Sequence, residues 1–124
     1  MKFLLMVYTD PALLEALPEG EFESMMRGCL QHADDMQANG KLLDFQQLEL
    51  PSTARSVRTR SGKVAITDGP FAEAKEVFAG FNLIEAEDMD EAVRIAQEFP
   101  WTQTGSIEVR PVRDIGEVRK RVGA

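Results

Sequence analysis

The spacing of apolar residues changes several times along the chain, and each change predicts a new element. Residues 2–9 form a short, unbroken apolar run, which is typical of a strand covered on both faces. In residues 21–39 the apolar positions have helical spacing, and Gly40 is a natural helix stop. Residues 42–50 return to an extended pattern, so the first half of the chain predicts strand, helix and strand.

A hairpin and a further strand follow. Two extended segments, residues 57–60 and 63–67, flank Ser61 and Gly62, and this pair suits a two-residue turn between antiparallel strands. Residues 77–86 then carry large apolar side chains in an extended pattern, which predicts another strand.

One more helix and one more strand complete the pattern. Asp88 and Glu91 have the spacing of a capping box, so we expect a helix that opens at Asp88 and ends before Pro100. Residues 106–112 alternate between apolar and polar side chains, which predicts a final strand with one covered face.

The resulting order predicts an α+β fold in one domain, residues 1–124. Without the hairpin the order is βαββαβ, the ferredoxin-like arrangement. Two helices cover only one face of a four-stranded sheet, and the other face would leave a large apolar patch in water. The simplest cover is a second copy with the two sheets face to face, so we expect a homodimer.

The amino-acid composition limits which partners and which cellular compartment we expect for the protein. The chain has 124 residues, 44% of them hydrophobic, and a net charge of −7, which argues against a nucleic-acid partner. No segment approaches the roughly 20 apolar residues of a membrane span, and the apolar start is too short for a signal peptide. Cys29 is the only cysteine, so no internal disulfide can form, and we expect a core residue in a cytoplasmic protein.

We expect no cofactor. One cysteine and one histidine cannot build a conventional structural zinc site, and the sequence contains neither a P-loop nor a GxGxxG fingerprint. Four cations lie close together on the predicted hairpin: Arg55, Arg58, Arg60 and Lys63. They either protect a sheet edge against pairing with other chains or form a small anion site.

Residues 68–76 carry the chemistry that differs most from ordinary core or surface packing. Their sequence is DGPFAEAKE, in which a Gly-Pro pair forces a turn. The turn needs only this pair, whereas Asp68, Phe71, Lys75 and Glu76 add two acids, an aromatic ring and a base. We therefore expect the loop to line a cleft, although Asp68 could also merely shape the turn.

This loop resembles the motif of the DGPF, or YCII-related, family of small bacterial proteins. The resemblance extends over MKFLLMVY at 1–8, NGKLL at 39–43, TDGPFAEAKE at 67–76 and GSIEVRPV at 105–112. It implies a dimeric α+β barrel that encloses a cleft between sheet and loops. Some relatives occur beside sigma factors, which implies a regulatory context, and Ala74 stands where the family tends to have threonine.

His32 and Asp68 are the candidates for moving a proton. His32 is the only histidine and lies at the margin of the apolar helix face, where a half-buried packing role is the alternative. In family members a histidine and an aspartate have been proposed as a catalytic pair, and His32 lies on the matching helix, nearer to Gly40 than in that pattern.

The remaining candidates are ligand-binding residues. Arg110 or Lys75 would hold an anionic group, and Phe71 would pack on the substrate, with Glu76 or Lys75 reaching the cleft. In the last strand, Glu108 and Arg110 share the face opposite the aliphatic residues, so we expect them on the side of the sheet without helices. They form either an ion pair across the interface or an anchor for a polar ligand.

Tyr8 is an aromatic candidate with a polar tip, and packing is its more ordinary role. Together these residues predict a small-molecule protein. One alternative is an enzyme that performs acid/base chemistry on a small polar or aromatic metabolite. The other is a non-catalytic ligand-binding or interaction module.

Overall fold

A computed structural model of the chain describes residues 1–70 and 74–124, which form six strands and four α-helices. The strands are β1 (Lys2–Thr9), β2 (Leu42–Gln47), β3 (Arg55–Arg60), β4 (Lys63–Asp68), β5 (Val77–Glu85) and β6 (Gly105–Pro111). The helices are α1 (Pro11–Glu15), α2 (Glu21–Ala38), α3 (Met89–Gln97) and α4 (Ile115–Val122). Within this described part, no helix is long and apolar enough to cross a bilayer.

Four strands pair into one sheet with the order β2-β5-β1-β6, while β3 and β4 form a separate two-stranded hairpin. All pairings in the sheet are antiparallel. This is the order that a βαββαβ chain gives, with the hairpin inserted between its second and third strands. The predicted α+β fold class is confirmed.

The burial of β1 shows which face of the sheet the helices cover. Phe3, Leu5 and Val7 are buried, because they point towards the core beneath α2 and α3. The helices contribute small and flexible side chains to this core. These are Cys29, Ala33 and Met36 from α2 and Ala92, Ile95 and Ala96 from α3.

The opposite face of the sheet, here called the open face, has an apolar centre and charged residues on one flank. Its centre consists of half-buried side chains from β1 and β5, namely Leu4, Met6, Tyr8, Phe81 and Leu83. On β6, Glu108 lies opposite Met6 and Arg110 lies opposite Leu4. Directly opposite residues share a face, so Glu108 and Arg110 lie on the side without α2 and α3, and the predicted register of the last strand is confirmed.

The turn of the hairpin follows from its two residues. Ser61 and Gly62 both have positive φ angles, 51° and 74°, as a two-residue turn between twisted strands requires. Apart from Ser56, whose hydroxyl donates to the Gly69 carbonyl at 2.7 Å, the strands of the hairpin have exposed or half-exposed side chains. The hairpin therefore lies at the surface.

Two short helices were not predicted, and several strand ends differ from the sequence prediction by one to three residues. α1 has only five residues, too few for a periodic signal, and its start is fixed because Asp10 accepts from the Ala12 amide at 3.0 Å. α4 begins after its cap Asp114 and was not predicted, although its apolar residues Ile115, Val118 and Val122 have helical spacing. β2 ends at Gln47 and not at residue 50, since Pro51 begins a 3₁₀ turn.

Candidate functional site

A cavity of about 240 Å³ lies between the covered face of the sheet and the first turns of α2. We call it the sheet–helix cavity. The sheet supplies Phe45 and Asn82, α2 supplies Phe22 and Cys29, and Trp101 closes one side. The rings of Phe22 and Trp101 are in contact, with centroids 6.0 Å apart. Its size suits a ligand of about one ring, near the lower end of ordinary small-molecule sites.

Asn82 is the polar residue that distinguishes this cavity. It lies opposite Leu5 in the register of β1 and β5, so its side chain belongs to the covered face, and it is only 7% exposed. Among the residues that the structure describes, none forms a hydrogen bond with its side-chain amide. The amide lines the cavity and is not among the fully buried polar atoms without a partner, so it keeps contact with the space beside it. Asn82 therefore offers two donors and an acceptor to a molecule in the cavity.

Cys29 contributes a neutral thiol to the same cavity. Burial raises the pKa of the Cys29 thiol above its ordinary value, and a hydrogen bond with Trp101 opposes this shift. The thiolate is the nucleophilic form, so the thiol is a poor nucleophile near pH 7. The described residues that line the cavity include no charged side chain.

The raised pKa of Cys29 predicts a loss of stability at alkaline pH. Below the ordinary thiol pKa of 9.0, the folded and unfolded chains both carry the neutral thiol. Above it, the unfolded chain loses the proton while the folded chain keeps it, so the free energy of unfolding falls, by up to about 1.4 kcal/mol per pH unit. Urea unfolding at pH 8, 9 and 10 should show a steeper fall for the native chain than for Cys29→Ala. Parallel curves would contradict this prediction.

A second cavity, of about 470 Å³, lies at the base of the hairpin, and we call it the hairpin cleft. Tyr8 and Phe78 form one wall, with ring centroids 5.4 Å apart. Glu49 and Glu76 also line it, and the Glu76 carboxylate accepts a hydrogen bond from the Ser106 hydroxyl at 2.8 Å. Two predicted ligand-binding residues, Tyr8 and Glu76, thus meet in this cleft.

Asp68 does not point into either cavity. It is the last residue of β4, its side chain is 93% exposed, and its carboxylate lies 3.7 Å from the Arg55 guanidinium across the hairpin. In the single chain the Asp68 carboxylate therefore faces solvent, and its role in proton transfer stays a prediction. The physical reason is that the strand pairing continues to Asp68 and holds it at the surface.

His32 is a residue of α2 and contacts the residues that follow α3, Glu98 and Phe99. Its Nε2 atom is 3.8 Å from the Glu98 carboxylate, and its ring contacts the Phe99 ring edge-on at 5.3 Å. It lines neither cavity, and the described contacts pair His32 with Glu98 and Asp68 with Arg55 and not with each other. The position favours the packing role.

Lys75 reaches a buried carboxylate instead of a cavity. Its Nζ atom lies 3.6 Å from Asp10, whose side chain is buried and caps α1. The contact ties the end of the 68–76 loop to α1. Phe71, which we expected to pack on a substrate, lies outside the described residues.

Glu108 and Arg110 form an ion pair with each other on the open face. The Arg110 Nε atom donates a hydrogen bond to a Glu108 carboxylate oxygen at 2.8 Å, and the Nη2 atom lies 2.7 Å from the same oxygen. The pair is partly exposed, so its contribution to the stability of the free chain is small. Both roles given above, an interface pair and a ligand anchor, remain predictions.

Comparison with known proteins identifies the family. The profile of the YCII-related domain matches residues 1–116. The chain belongs to the YCII-related family. An uncharacterized protein of Rhizobium meliloti (strain 1021) is 33% identical over 114 residues, which is 90% of this chain and 92% of the relative. The resemblance seen in the DGPF loop is confirmed.

A solved structure shares the fold. It is 5-chloro-2-hydroxyhydroquinone dehydrochlorinase (TftG) from Burkholderia phenoliruptrix AC1100, in complex with 2,5-dihydroxybenzoquinone. It matches with a TM-score of 0.53 and 16% identity over 91% of this chain and 94% of that chain. At this identity the likeness concerns the fold alone.

In the part of the chain that the structure describes, no group of three or more His, Cys, Asp or Glu side chains could hold a metal ion.

The residues that define the sheet–helix cavity were not among the predicted site residues. Asn82 could have been identified from the sequence pattern. It is the polar residue among the positions of β5 that face the core, which are Gly80, Asn82 and Ile84. The sequence pattern does not distinguish Phe22 and Trp101 as cavity residues, since aromatic residues in such positions are ordinarily core residues. Cys29 was assigned to the core, and it is buried as expected.

Proposed function

We propose that this YCII-related protein binds a small, uncharged ring compound with hydroxyl or carbonyl groups in the sheet–helix cavity. The observation that carries this proposal is Asn82, a 7% exposed side chain whose amide has no hydrogen-bond partner among the described residues and lies at the wall of a mostly apolar cavity. A ring would pack on Phe22 and Trp101, and its oxygen atoms would satisfy the amide.

The preference for an uncharged ligand follows from the lining. No described residue around the cavity carries a charge, so a bound carboxylate would lose its hydration without gaining a cation. Amide groups can pair with either a hydroxyl or a carbonyl. The complex of TftG with 2,5-dihydroxybenzoquinone supports the size and ring chemistry of the proposed ligand through the fold.

Ligand binding without catalysis is the function that this lining favours. Acid/base catalysis requires a titratable group within hydrogen-bond reach of the ligand. Cys29 is the titratable residue among the described lining residues, and burial keeps its thiol neutral because it raises the thiol pKa. The exposed position of Asp68 supports the same choice.

An acid/base enzyme is the second candidate, and the hairpin cleft is the observation that favours it. Glu76 and Tyr8 line this cleft together, and Ser106 orients the Glu76 carboxylate by a hydrogen bond. In this case Glu76 would accept the proton and Tyr8 would hydrogen-bond the substrate. The polar or aromatic metabolite would then bind on the side of the open face.

We also propose that the protein is a homodimer through the open face. The apolar centre of this face is half-buried in a single chain, and an uncovered apolar patch favours association. Sheet-to-sheet packing of two copies would bury Met6 and Phe81 of both chains around a twofold axis.

Hydroquinone tests the proposed ligand class, with 4-hydroxybenzoate as its charged counterpart. For so small a ligand we expect a dissociation constant of roughly 0.1–1 mM. At ten times that concentration hydroquinone should stabilise the folded chain by about 1.4 kcal/mol and raise the melting temperature by a few degrees. 4-Hydroxybenzoate should shift it by less than about one degree, because its carboxylate is not compensated. No shift with hydroquinone, or an equal shift with both compounds, would contradict the proposal.

A further inference from the structure

The hairpin of β3 and β4 has two chemically different faces. Val57 lies opposite Ile66 and Thr59 lies opposite Val64, so these four β-branched residues share one face. Three of them are strongly exposed: Val57 at 58%, Val64 at 65% and Ile66 at 64%. We call this set of four residues the apolar stripe. The opposite face carries Arg58, Arg60 and Lys63.

An uncovered apolar stripe on a two-stranded hairpin requires a partner. A two-stranded hairpin is at best marginally stable by itself in water. Six-residue strands extend roughly 20 Å, which is enough to reach beyond the surface of one chain. The hairpin therefore has the reach and the chemistry of an arm that packs on another molecule.

The charge distribution indicates that this molecule is acidic. Residues 55–68 contain four cations and one anion, a net charge of +3 within a chain whose overall charge is −7. The rest of the chain thus carries −10. A second copy of the same chain offers an acidic surface to the basic hairpin, and opposite potentials favour association.

The hairpin cleft has the matching chemistry. Its apolar lining includes three exposed side chains: Leu48 at 47%, Leu50 at 71% and Phe78 at 40%. Glu49 and Glu76 supply negative charge, and no cation lines it among the described residues. Tyr8 belongs to both the cleft and the open face, so a copy that packs on the open face lies beside the cleft.

We propose that two copies exchange their hairpins, each placing its apolar stripe in the hairpin cleft of the other. Arg60 and Lys63 flank the turn on the opposite face, and their long side chains then reach round the edge of the hairpin towards Glu49 and Glu76 of the second copy. The exchange is reciprocal, as a twofold dimer requires. This inference rests on the homodimer proposed above and adds that each cleft is completed by the hairpin of the other copy.

Ile66→Glu tests the exchange, and Thr67→Glu is its matched control. Both variants add one carboxylate to β4, but Ile66 lies on the apolar stripe and Thr67 lies on the opposite face. Sedimentation and light scattering should give the native protein about twice the 13.8 kDa chain mass. Ile66→Glu should weaken the dimer at least 100-fold and Thr67→Glu less than threefold, with unchanged circular dichroism in both.

Two further outcomes separate this inference from the dimer itself. If Ile66→Glu dimerises like the native chain while Met6→Lys on the open face is monomeric, the hairpin exchange is wrong and the face-to-face dimer stands. A monomeric native protein overturns both proposals. If that monomer also binds single-stranded DNA, and Ile66→Glu abolishes the binding, the partner of the hairpin is a nucleic acid and not a second copy.

Zero-length cross-linking locates the hairpin directly. In a mixture of ¹⁴N- and ¹⁵N-labelled chains, carbodiimide should join Lys63 of one isotope to Glu49 or Glu76 of the other. The Thr67→Glu protein should give the same products. Cross-links of Lys63 found only within single-isotope chains would overturn the exchange.

Discussion

Replacement of Asn82 by leucine should stabilise the free protein and remove ligand binding at the same time. The side chain is 7% exposed and lines a mostly apolar cavity, and leucine has the same branching with two methyl groups in place of the amide oxygen and nitrogen, so it places apolar atoms at an almost buried position. We expect a gain of about 1 kcal/mol, or roughly 3–6 °C in melting temperature. The affinity for hydroquinone should fall at least tenfold, because its oxygen atoms lose their partner. Melting curves and calorimetric titration measure the two effects.

Thr104→Val is the matched control for this variant. Thr104 is 1% exposed, and its hydroxyl lacks a hydrogen-bond partner within the described chain, but it does not line the sheet–helix cavity. Valine has nearly the same shape, so it should also raise the melting temperature while hydroquinone binding stays unchanged. If Asn82→Leu destabilises the protein and leaves binding intact, Asn82 is a structural residue and the proposed site is wrong.

Replacement of Gly105 by alanine should cause the largest loss of stability. Gly105 faces Thr9 in the pairing of β6 with β1. A β-carbon at this position would overlap the Tyr8 carbonyl oxygen and would lie 2.9 Å from the Thr9 Cα atom. Both are backbone atoms of a central strand, so they cannot rotate away as a side chain would. We expect a loss of about 3 kcal/mol or more, measured by urea unfolding.

Gly28→Ala is the matched control, because the same substitution at this position should increase the free energy of unfolding. Gly28 lies on the exposed side of α2, and a β-carbon there would meet no atom within 4 Å. Alanine has the higher helix propensity, so we expect a gain of about 0.5–1 kcal/mol. Equal effects of the two substitutions would show that the close approach at Gly105 does not limit the packing of β6.

Residue periodicity was sufficient to predict most of the fold. The change from an unbroken apolar run at β1 to helical spacing at α2 marked both elements, and Asp88 caps α3 as expected, accepting from the Glu91 amide at 2.8 Å. The sheet order then follows from the βαββαβ connection. α1 was missed because five residues are too few to show a period. α4 was missed although Ile115, Val118 and Val122 have helical spacing, because two turns at the end of the chain give only three such positions.

The candidate site was harder to predict, because a cavity is a gap between elements and not a property of one of them. The unusual charges of the 68–76 loop drew attention to Asp68, which strand pairing holds at the surface. Asn82 carries less conspicuous chemistry, and its importance depends on burial and on the absence of a described partner. Which side chains leave space beside it depends on how α2 and Trp101 pack, and local sequence does not specify this.

The indole N–H resonance of Trp101 gives the most direct test of the proposed ligand site. Trp101 is the only tryptophan of the chain and lines the sheet–helix cavity, so its signal in a ¹H–¹⁵N spectrum is identified without assignment of the other residues. Upon titration with hydroquinone, this resonance should shift and saturate in the native protein and should remain fixed in Asn82→Leu. A fixed Trp101 resonance in the native protein, with shifts confined to residues of the hairpin cleft, would contradict the site proposed between sheet and helix.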